Sequence, residues 1–222
     1  MHWRFGKCES DFTEVDGNRV GEVADAGGLA SWTAGGVECQ RRRIRQVQHL
    51  SGDRVELRPW CPSDAAFAFD LYSRWDVQRY LGRDPKVMEA PAQANALIAR
   101  LAAVDDPVLG YWVVQVSSTG EPVGTVLLQG IRLTGTNERS DQIEIGWHFH
   151  PDAWGRGYAT EAAKVVMHHG FDAGLERIIA VTHPENVASQ RVCHRLGMKE
   201  EGVTSRYYDV ECQLFVATST PV

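Results

Sequence analysis

Hydrophobic and polar residues change their pattern near Arg54. Residues 1 to about 52 show no sustained helical or strand period and are rich in glycine and charge. That texture predicts a poorly ordered N-terminal leader. From Arg54 the alternation of "RVELRPW" predicts a strand, so we expect the folded domain to span residues 53–222.

The domain then alternates between helix-like and strand-like runs. Helical periodicity is present in "PSDAAFAFDLYSRWDVQRYL", "APAQANALIARLAAV", a run that begins near Tyr158, and a run from about Glu185 to Leu196. Strands are predicted at "GYWVVQVSS", "EPVGTVLLQGIRL", "QIEIGWHFH", "RIIAVTH" and "SRYYDVECQLFVAT", with a possible short strand at "MKEEG". The order β-α-α-β-β-β-α-β-α-β indicates a mixed α/β sheet whose three successive middle strands form an antiparallel meander.

Composition narrows the function classes. The 222 residues are 43% hydrophobic, enough for one core. A formal charge of −6 argues against nucleic acid as a partner, because such surfaces are usually basic. The five cysteines include no CxxC pair, which favours a reducing cytoplasm. No apolar run in the sequence approaches the roughly 20 residues that are needed to span a bilayer, so no membrane partner is expected.

The stretch "HPDAWGRGYATEAAKVV" carries the first candidate chemistry. Gly155, Arg156 and Gly157 lie between a predicted strand and a predicted helix. The start of a helix has unpaired N–H groups and the positive end of the dipole, and glycines let an anion approach the backbone. The loop therefore suits a diphosphate, although a tight turn before a helix has the same pattern. The P-loop and full dinucleotide-binding patterns are absent from the sequence.

A second motif, "THPENVASQRVCHRLGMKEEG", follows one strand and one helix later. With "IEIGWHFHPDAWGRGYATEA", it resembles the two signature motifs of the GNAT acetyltransferase superfamily, in particular the branch similar to the Rim-type ribosomal-protein N-acetyltransferases. The resemblance covers residues 54 to 217. It implies the acyl-CoA N-acyltransferase fold, in which a central, mostly antiparallel sheet has helices on both faces.

The resemblance also implies acetyl-CoA as the cosubstrate. Backbone N–H groups from Gly155 to Thr160 would hold its pyrophosphate, with a charge-assisted contact from Arg156. The pantetheine arm would lie between the parted strands "IEIGWHFH" and "RIIAVTH", near Asn186. The residues expected to bind acetyl-CoA are Trp147, His148, Phe149, Gly155, Arg156, Gly157, Tyr158, Ala159, Thr160, Asn186, Ser189 and Arg191.

Catalysis needs a base, because an amine with a reference pKa near 10.4 is mostly protonated at neutral pH. Glu144 is the first candidate, and it shares a strand face with Gly146 and His148. The alternative is a strand carboxylate held in a salt bridge. A backbone N–H near Trp147 to Phe149 would stabilise the developing oxyanion.

The leaving thiolate needs a proton or a hydrogen bond. The resemblance points to Ser189 for this role, while a helix-capping or surface serine is the alternative. Tyr207 or Tyr208 could serve instead, since many GNAT enzymes use a tyrosine near the C-terminal strands.

Two other residue groups have simpler explanations. His148 and His150 form an H-x-H pair, but no third potential ligand follows at a spacing typical of a metal site, so we expect no metal. The tryptophans are predicted to be core residues. Among them, Trp75 is also a candidate for shaping the acceptor pocket. The tryptophans concerned are Trp60, Trp75, Trp112, Trp147 and Trp154.

The predicted function is transfer of an acetyl group from acetyl-CoA to a primary amine by direct attack. A protein N-terminal α-amine is the first expected acceptor, since its reference pKa is only about 7.7 to 8.0. A small cationic amine is the competing acceptor, which acidic residues would suit: Glu138, Asp141, Glu200, Glu201, Asp209 and Glu211. A non-catalytic acyl-CoA-binding sensor or interaction module is the alternative from another class. Monomer and homodimer are both open.

Overall fold

The computed structural model describes residues 48–136 and 138–219. Residues 1–47, most of the predicted leader, lie outside the described residues. Leu50 and Ser51 already pair with the next strand, so the described sheet begins shortly before the predicted domain start at residue 53.

One sheet of eight strands, in the order β1-β2-β3-β4-β5-β6-β8-β7, organises the described chain. The strands are β1 (Leu50–Ser51), β2 (Val55–Pro59), β3 (Gly110–Val116), β4 (Pro122–Arg132), β5 (Arg139–Phe149), β6 (Arg177–Thr182), β7 (Lys199–Thr204) and β8 (Cys212–Thr218). Neighbouring strands are antiparallel except for β5 and β6, which are parallel. The predicted mixed, mostly antiparallel sheet is confirmed, and so is the short strand at "MKEEG".

Helices cover both faces of the sheet, as predicted. They are α1 (Ala65–Tyr72), α2 (Trp75–Gln78), α3 (Pro91–Ala102), α4 (Tyr158–Asp172) and α5 (Val187–Arg195). Ile145 and Phe149 of β5 pack with Ala162 and Val166 of α4 on one face. On the other face the Tyr72 hydroxyl of α1 contacts His148 of β5. Within the described residues, no helix is long and apolar enough to span a bilayer.

Two predicted elements are interrupted by contacts between distant parts of the chain. The helix predicted from Pro62 to Leu81 breaks after Tyr72, because the Tyr72 carbonyl accepts hydrogen bonds from the Met88 N–H and the Gln78 side chain. The strand predicted from Ser205 begins only at Cys212. Tyr208 and Asp209 have φ angles of 58° and 59°, which an extended strand does not allow.

The tryptophans divide into buried and exposed residues. Trp60 and Trp112 are buried, as predicted. Trp147 is partly buried. Trp154 is 49% exposed, so the prediction of a core position was wrong for it, and Trp75, the exception among the five, is 57% exposed. Trp154 keeps a polar contact instead, because its indole N–H donates to the Phe149 carbonyl at 2.8 Å. That bond joins the end of β5 to the segment just before the glycine loop.

A glycine in β4 sets how closely β4 and β5 approach. A Cβ on Gly124 would lie 2.6 Å from the Phe149 ring and 2.7 Å from the His148 carbonyl oxygen. We expect Gly124→Ala to lower the free energy of unfolding by about 1–3 kcal/mol, because this backbone oxygen cannot rotate away. Urea unfolding measures the change. Gly146→Ala is the matched control, since its Cβ would meet the flexible Leu127 side chain at 3.2 Å. Equal stability of the two variants would contradict this account.

Candidate active site

The two parallel strands β5 and β6 pair over a short distance and then separate. Ile143 is paired with Ile178 and Glu144 with Ile179. In the described sheet no further pair joins these strands, although β5 continues to Phe149 and β6 to Thr182. Backbone N–H and C=O groups on the facing edges are therefore available to a ligand. This separation agrees with the parting predicted for the two strands.

A cleft of about 1050 Å³ occupies the opening. It runs from the glycine loop, past the separated strands, to the acidic side chain of Glu144. All fourteen predicted site residues line it. They are Glu144, Trp147, His148, Phe149, Gly155, Arg156, Gly157, Tyr158, Ala159, Thr160, Asn186, Ser189, Arg191 and Tyr208. The structure thus brings the two sequence motifs to one cavity.

The glycine loop presents an open helix start to this cleft. Gly155 and Gly157 have φ angles of 74° and 84°, in the left-handed region that favours glycine. No side chain caps α4, whose first residue is Tyr158, so its first N–H groups are free for an anion. The Thr160 hydroxyl is buried and has no hydrogen-bond partner among the described residues. These donors fit a diphosphate.

Arg54 holds the glycine loop against the start of β2. Its guanidinium donates to Glu161 of α4, with Nε at 2.8 Å from Oε2, and to the Arg156 carbonyl at 3.1 Å. It also lies over the Tyr158 ring, with its central carbon 5.4 Å from the ring centroid. Arg54 was not among the predicted site residues. Its partners are more than a hundred residues away, and no local pattern at Arg54 indicates them.

Asn186 and Ser189 lie at the start of α5. The Asn186 side-chain oxygen accepts the Ser189 N–H at 3.1 Å and caps the helix. Asn186 is therefore the capping residue, and the Ser189 hydroxyl lines the cleft instead of capping the helix. The amide nitrogen of Asn186 has no partner among the hydrogen bonds of the described residues, which leaves it available to a ligand.

Glu144 is buried at the point where β5 and β6 separate. It is 7% exposed, and its Oε2 accepts hydrogen bonds from the Tyr208 hydroxyl and, at 3.4 Å, from the Gln129 side chain. Burial raises the pKa of Glu144 to about 7, although both hydrogen bonds oppose the rise. Glu144 takes part in none of the ion pairs between described residues, so the salt-bridge alternative is not observed. Such a carboxyl group can exchange a proton near neutral pH.

Tyr208 reaches Glu144 from the loop before β8. Burial, and then the nearby charge of Glu144, raise the pKa of Tyr208 well above its usual value, so the phenol stays protonated and acts as a donor. Its neighbour Tyr207 is buried elsewhere and donates to Gln142 at 2.8 Å. Of the two tyrosines that the sequence left open, Tyr208 is the one that lines the cleft.

A second group of polar residues supports Glu144 from the neighbouring strands. Gln129 of β4 is the cross-strand partner of Glu144. The Tyr111 hydroxyl donates to the Gln129 side-chain oxygen, which turns the amide nitrogen toward Glu144. Arg139 in turn donates to Tyr111 at 3.4 Å. The sequence analysis missed all three residues, because finding them requires the strand register.

His148 and His150, the H-x-H pair, contact different partners. Nδ1 of His148 lies 2.9 Å from the Tyr72 hydroxyl, and burial lowers the pKa of His148 to about 4. His150 contacts Asp70 instead, at 3.1 Å. No cluster of three or more His, Cys, Asp or Glu side chains that could hold a metal is found among the described residues.

Known proteins resemble this chain in sequence and in fold. Residues 54–199 match the family model described as the acetyltransferase (GNAT) domain. The chain is 33% identical over 160 residues to the uncharacterized N-acetyltransferase YoaA of Bacillus subtilis. The aligned region covers 71% of this chain and 86% of YoaA. It is 32% identical over 171 residues to the FsC-acetyl coenzyme A-N(2)-transacetylase of Aspergillus fumigatus. That aligned region covers 75% of this chain and 71% of the transacetylase.

A solved structure adds to these matches. Mycobacterium smegmatis RimJ in complex with CoA-disulfide matches with a TM-score of 0.63 and 26% identity, over 79% of this chain and 88% of RimJ. This likeness agrees with the predicted resemblance to the Rim-type branch. On these matches, and on a fold and cleft of the predicted kind, the chain belongs to the GNAT family of acetyl-CoA-dependent N-acetyltransferases.

Proposed function

We propose that the protein acetylates a primary amine by direct attack and that Glu144 is the general base. The observation that carries this proposal is the position of a buried carboxyl group in the same cleft as the glycine loop, where β5 and β6 separate. A protein N-terminal α-amine is the first acceptor we propose, since it loses its proton more readily than a lysine does. A small-molecule amine is the second.

The donor half of the cleft has the groups that acetyl-CoA requires. We assign its diphosphate to the N–H groups from Gly155 to Thr160, with Arg156 and the Thr160 hydroxyl as further donors. The amide nitrogen of Asn186 and the free edge of β5 would hold the pantetheine arm. When bound, acetyl-CoA supplies the thioester carbonyl that the amine attacks.

The acid and base roles then follow from the surroundings of each group. Glu144 accepts the proton of the ammonium, so that the neutral amine can form the new C–N bond as the C–S bond breaks. The departing sulfur takes the second proton of the amine nitrogen as the amide forms, and the Ser189 hydroxyl donates a hydrogen bond to that sulfur. A backbone N–H between Trp147 and Phe149 donates to the carbonyl oxygen as it gains charge. Tyr208 holds Glu144 in place, with donation to sulfur as its alternative role. The non-catalytic sensor is disfavoured, because residues 54–199 match an acetyltransferase family and relatives of the chain are named as acetylating enzymes, the transacetylase of Aspergillus fumigatus among them.

Gly157→Asp tests the donor half. We expect it to abolish acetyl-CoA binding, because it places a carboxylate against the diphosphate. The new Cβ itself would lie 3.2 Å from Arg54 Nη2. Calorimetric titration measures the affinity. Gly157→Ala controls for the strain of a side chain at positive φ, and Gly120→Asp, also at positive φ but in open space outside the cleft, controls for charge. Unchanged affinity in Gly157→Asp would contradict the assignment.

Glu144→Gln tests the base. We expect kcat/KM to fall by about 10²- to 10⁴-fold while acetyl-CoA affinity stays nearly the same. In the wild type, kcat/KM should rise as the pH increases through about 7, because the carboxylate form accumulates above the pKa of Glu144. The variant should lose the inflection near pH 7 and follow only the free-amine fraction of the acceptor. An identical pH profile for both proteins would exclude Glu144 as the base.

Tyr208→Phe and Ser189→Ala separate the two donors. The Tyr208 hydrogen bond lowers the pKa of Glu144, so its removal should raise that pKa and move the rise in kcat/KM to higher pH. Ser189→Ala should lower kcat without moving the rise. Both are measured with one acceptor, whose own ionisation is then common to all the profiles. A shift in Ser189→Ala with none in Tyr208→Phe would exchange the two roles.

A further inference from the structure

The half of the cleft that contains Glu144 is mostly apolar. We call it the acceptor half and define it by the polar partners of Glu144, which are Gln129 and Tyr208, together with the apolar lining residues Val77, Leu81, Leu127, Val210 and Cys212. Val77, Leu127 and Cys212 are buried. Leu127 lies on the strand face of Gln129 and Glu144, and the charge of Glu144 contributes to a raised pKa of the Cys212 thiol, after burial. These residues make up the surface that an attacking amine would meet.

The neighbouring histidine adds no charge to this surface. His148 lines the cleft beside Glu144 on the same strand face. Its pKa, lowered to about 4 by burial, keeps the imidazole neutral at physiological pH. An acceptor therefore meets hydrocarbon, a thiol, a phenol, the Gln129 amide, a neutral imidazole and one carboxyl group.

The other carboxylates of the described lining face different groups. They are Asp53, Asp76 and Glu161. Glu161 is bound by Arg54 at 2.7 Å, and Asp53 is the residue before Arg54, at the glycine-loop end. Asp76 is largely exposed on α2, with its Oδ1 4.0 Å from Arg79. Glu144 is thus the one buried carboxyl group in the described lining.

The acidic residues that the sequence offered to a cationic substrate lie outside the cleft. None of them is in its described lining: Glu138, Asp141, Glu200, Glu201, Asp209 and Glu211. Asp209 pairs with Arg132 and Glu201 with Arg177. The lining instead has more basic than acidic side chains: Arg54, Arg79, Arg156, Lys164, Arg191 and Arg195.

We infer that the acceptor half selects a primary amine carried on an uncharged, apolar body and discriminates against polyamines. The inference rests on the proposed function. A single ammonium group can pair with Glu144, and the hydrocarbon body of the amine buries apolar surface. Each additional ammonium group of a polyamine would lose its water beside apolar side chains, with no second buried carboxylate to pair with.

The test compares three acceptors with the full-length protein at saturating acetyl-CoA and fixed pH. They are 2-phenylethylamine, the tripeptide amide Ala-Leu-Phe-NH2 and spermidine. We expect kcat/KM for both apolar amines to exceed that for spermidine by at least about tenfold, a difference of about 1.4 kcal/mol. Equal or faster turnover of spermidine overturns the inference but supports the proposed function. No turnover of any amine by protein that binds acetyl-CoA overturns both.

A charge introduced into the acceptor half gives a second, independent readout. Leu81→Asp adds a carboxylate at a partly exposed position of the lining. It should lower the ratio of 2-phenylethylamine to spermidine kcat/KM by at least about tenfold. Trp75, which the sequence suggested for the acceptor pocket, is exposed and is absent from the described lining of the cleft. Trp75→Asp therefore adds the same charge outside the cleft, and the ratio should stay as in the wild type. The same change of ratio in both variants would show a general charge effect and overturn the inference.

Discussion

The separation of β5 and β6 after Glu144 is the constraint on which the rest of the site depends. Two parallel strands that part expose backbone groups, which is costly unless they find partners. Here the cost is confined to one edge of each strand, because β5 stays paired with β4 as far as Phe149 and β6 stays paired with β8 to Thr182. The opening is therefore a stable part of the sheet, and it places Glu144 at its inner end.

The two ends of the cleft differ in their electrostatics. At the glycine loop, free N–H groups and basic side chains favour phosphate oxygens, and Arg54 fixes the loop through Glu161. Around Glu144, apolar side chains remove water and raise the pKa of the carboxyl group, while Tyr208 and Gln129 limit the rise. One cleft can thus hold an anionic donor at one end and deprotonate an amine at the other.

Local patterns in the sequence predicted most of the fold and the residues of the cleft. The glycine loop, Asn186 and the strand alternation around Glu144 each depend on neighbours within a few positions, so they could be recognised without a structure. Arg54, Gln129 and Tyr111 act through partners on other strands and helices, and they were missed. The helix break after Tyr72 and the left-handed Tyr208 also depend on distant contacts. The acceptor shows the same limit, because the acidic residues that the sequence offered to a small cationic amine, from Glu138 to Glu211, lie outside the described lining of the cleft.

Hydrogen–deuterium exchange with and without acetyl-CoA tests the central claim most directly, since it reports on backbone N–H groups without requiring an acceptor. The account predicts slower exchange on binding in two segments, residues 146–149 of β5 and residues 155–160 of the glycine loop. The turn around Gly120, outside the cleft, should be unaffected. Binding of acetyl-CoA without slower exchange in either segment would contradict the assignment of this cleft as the donor site.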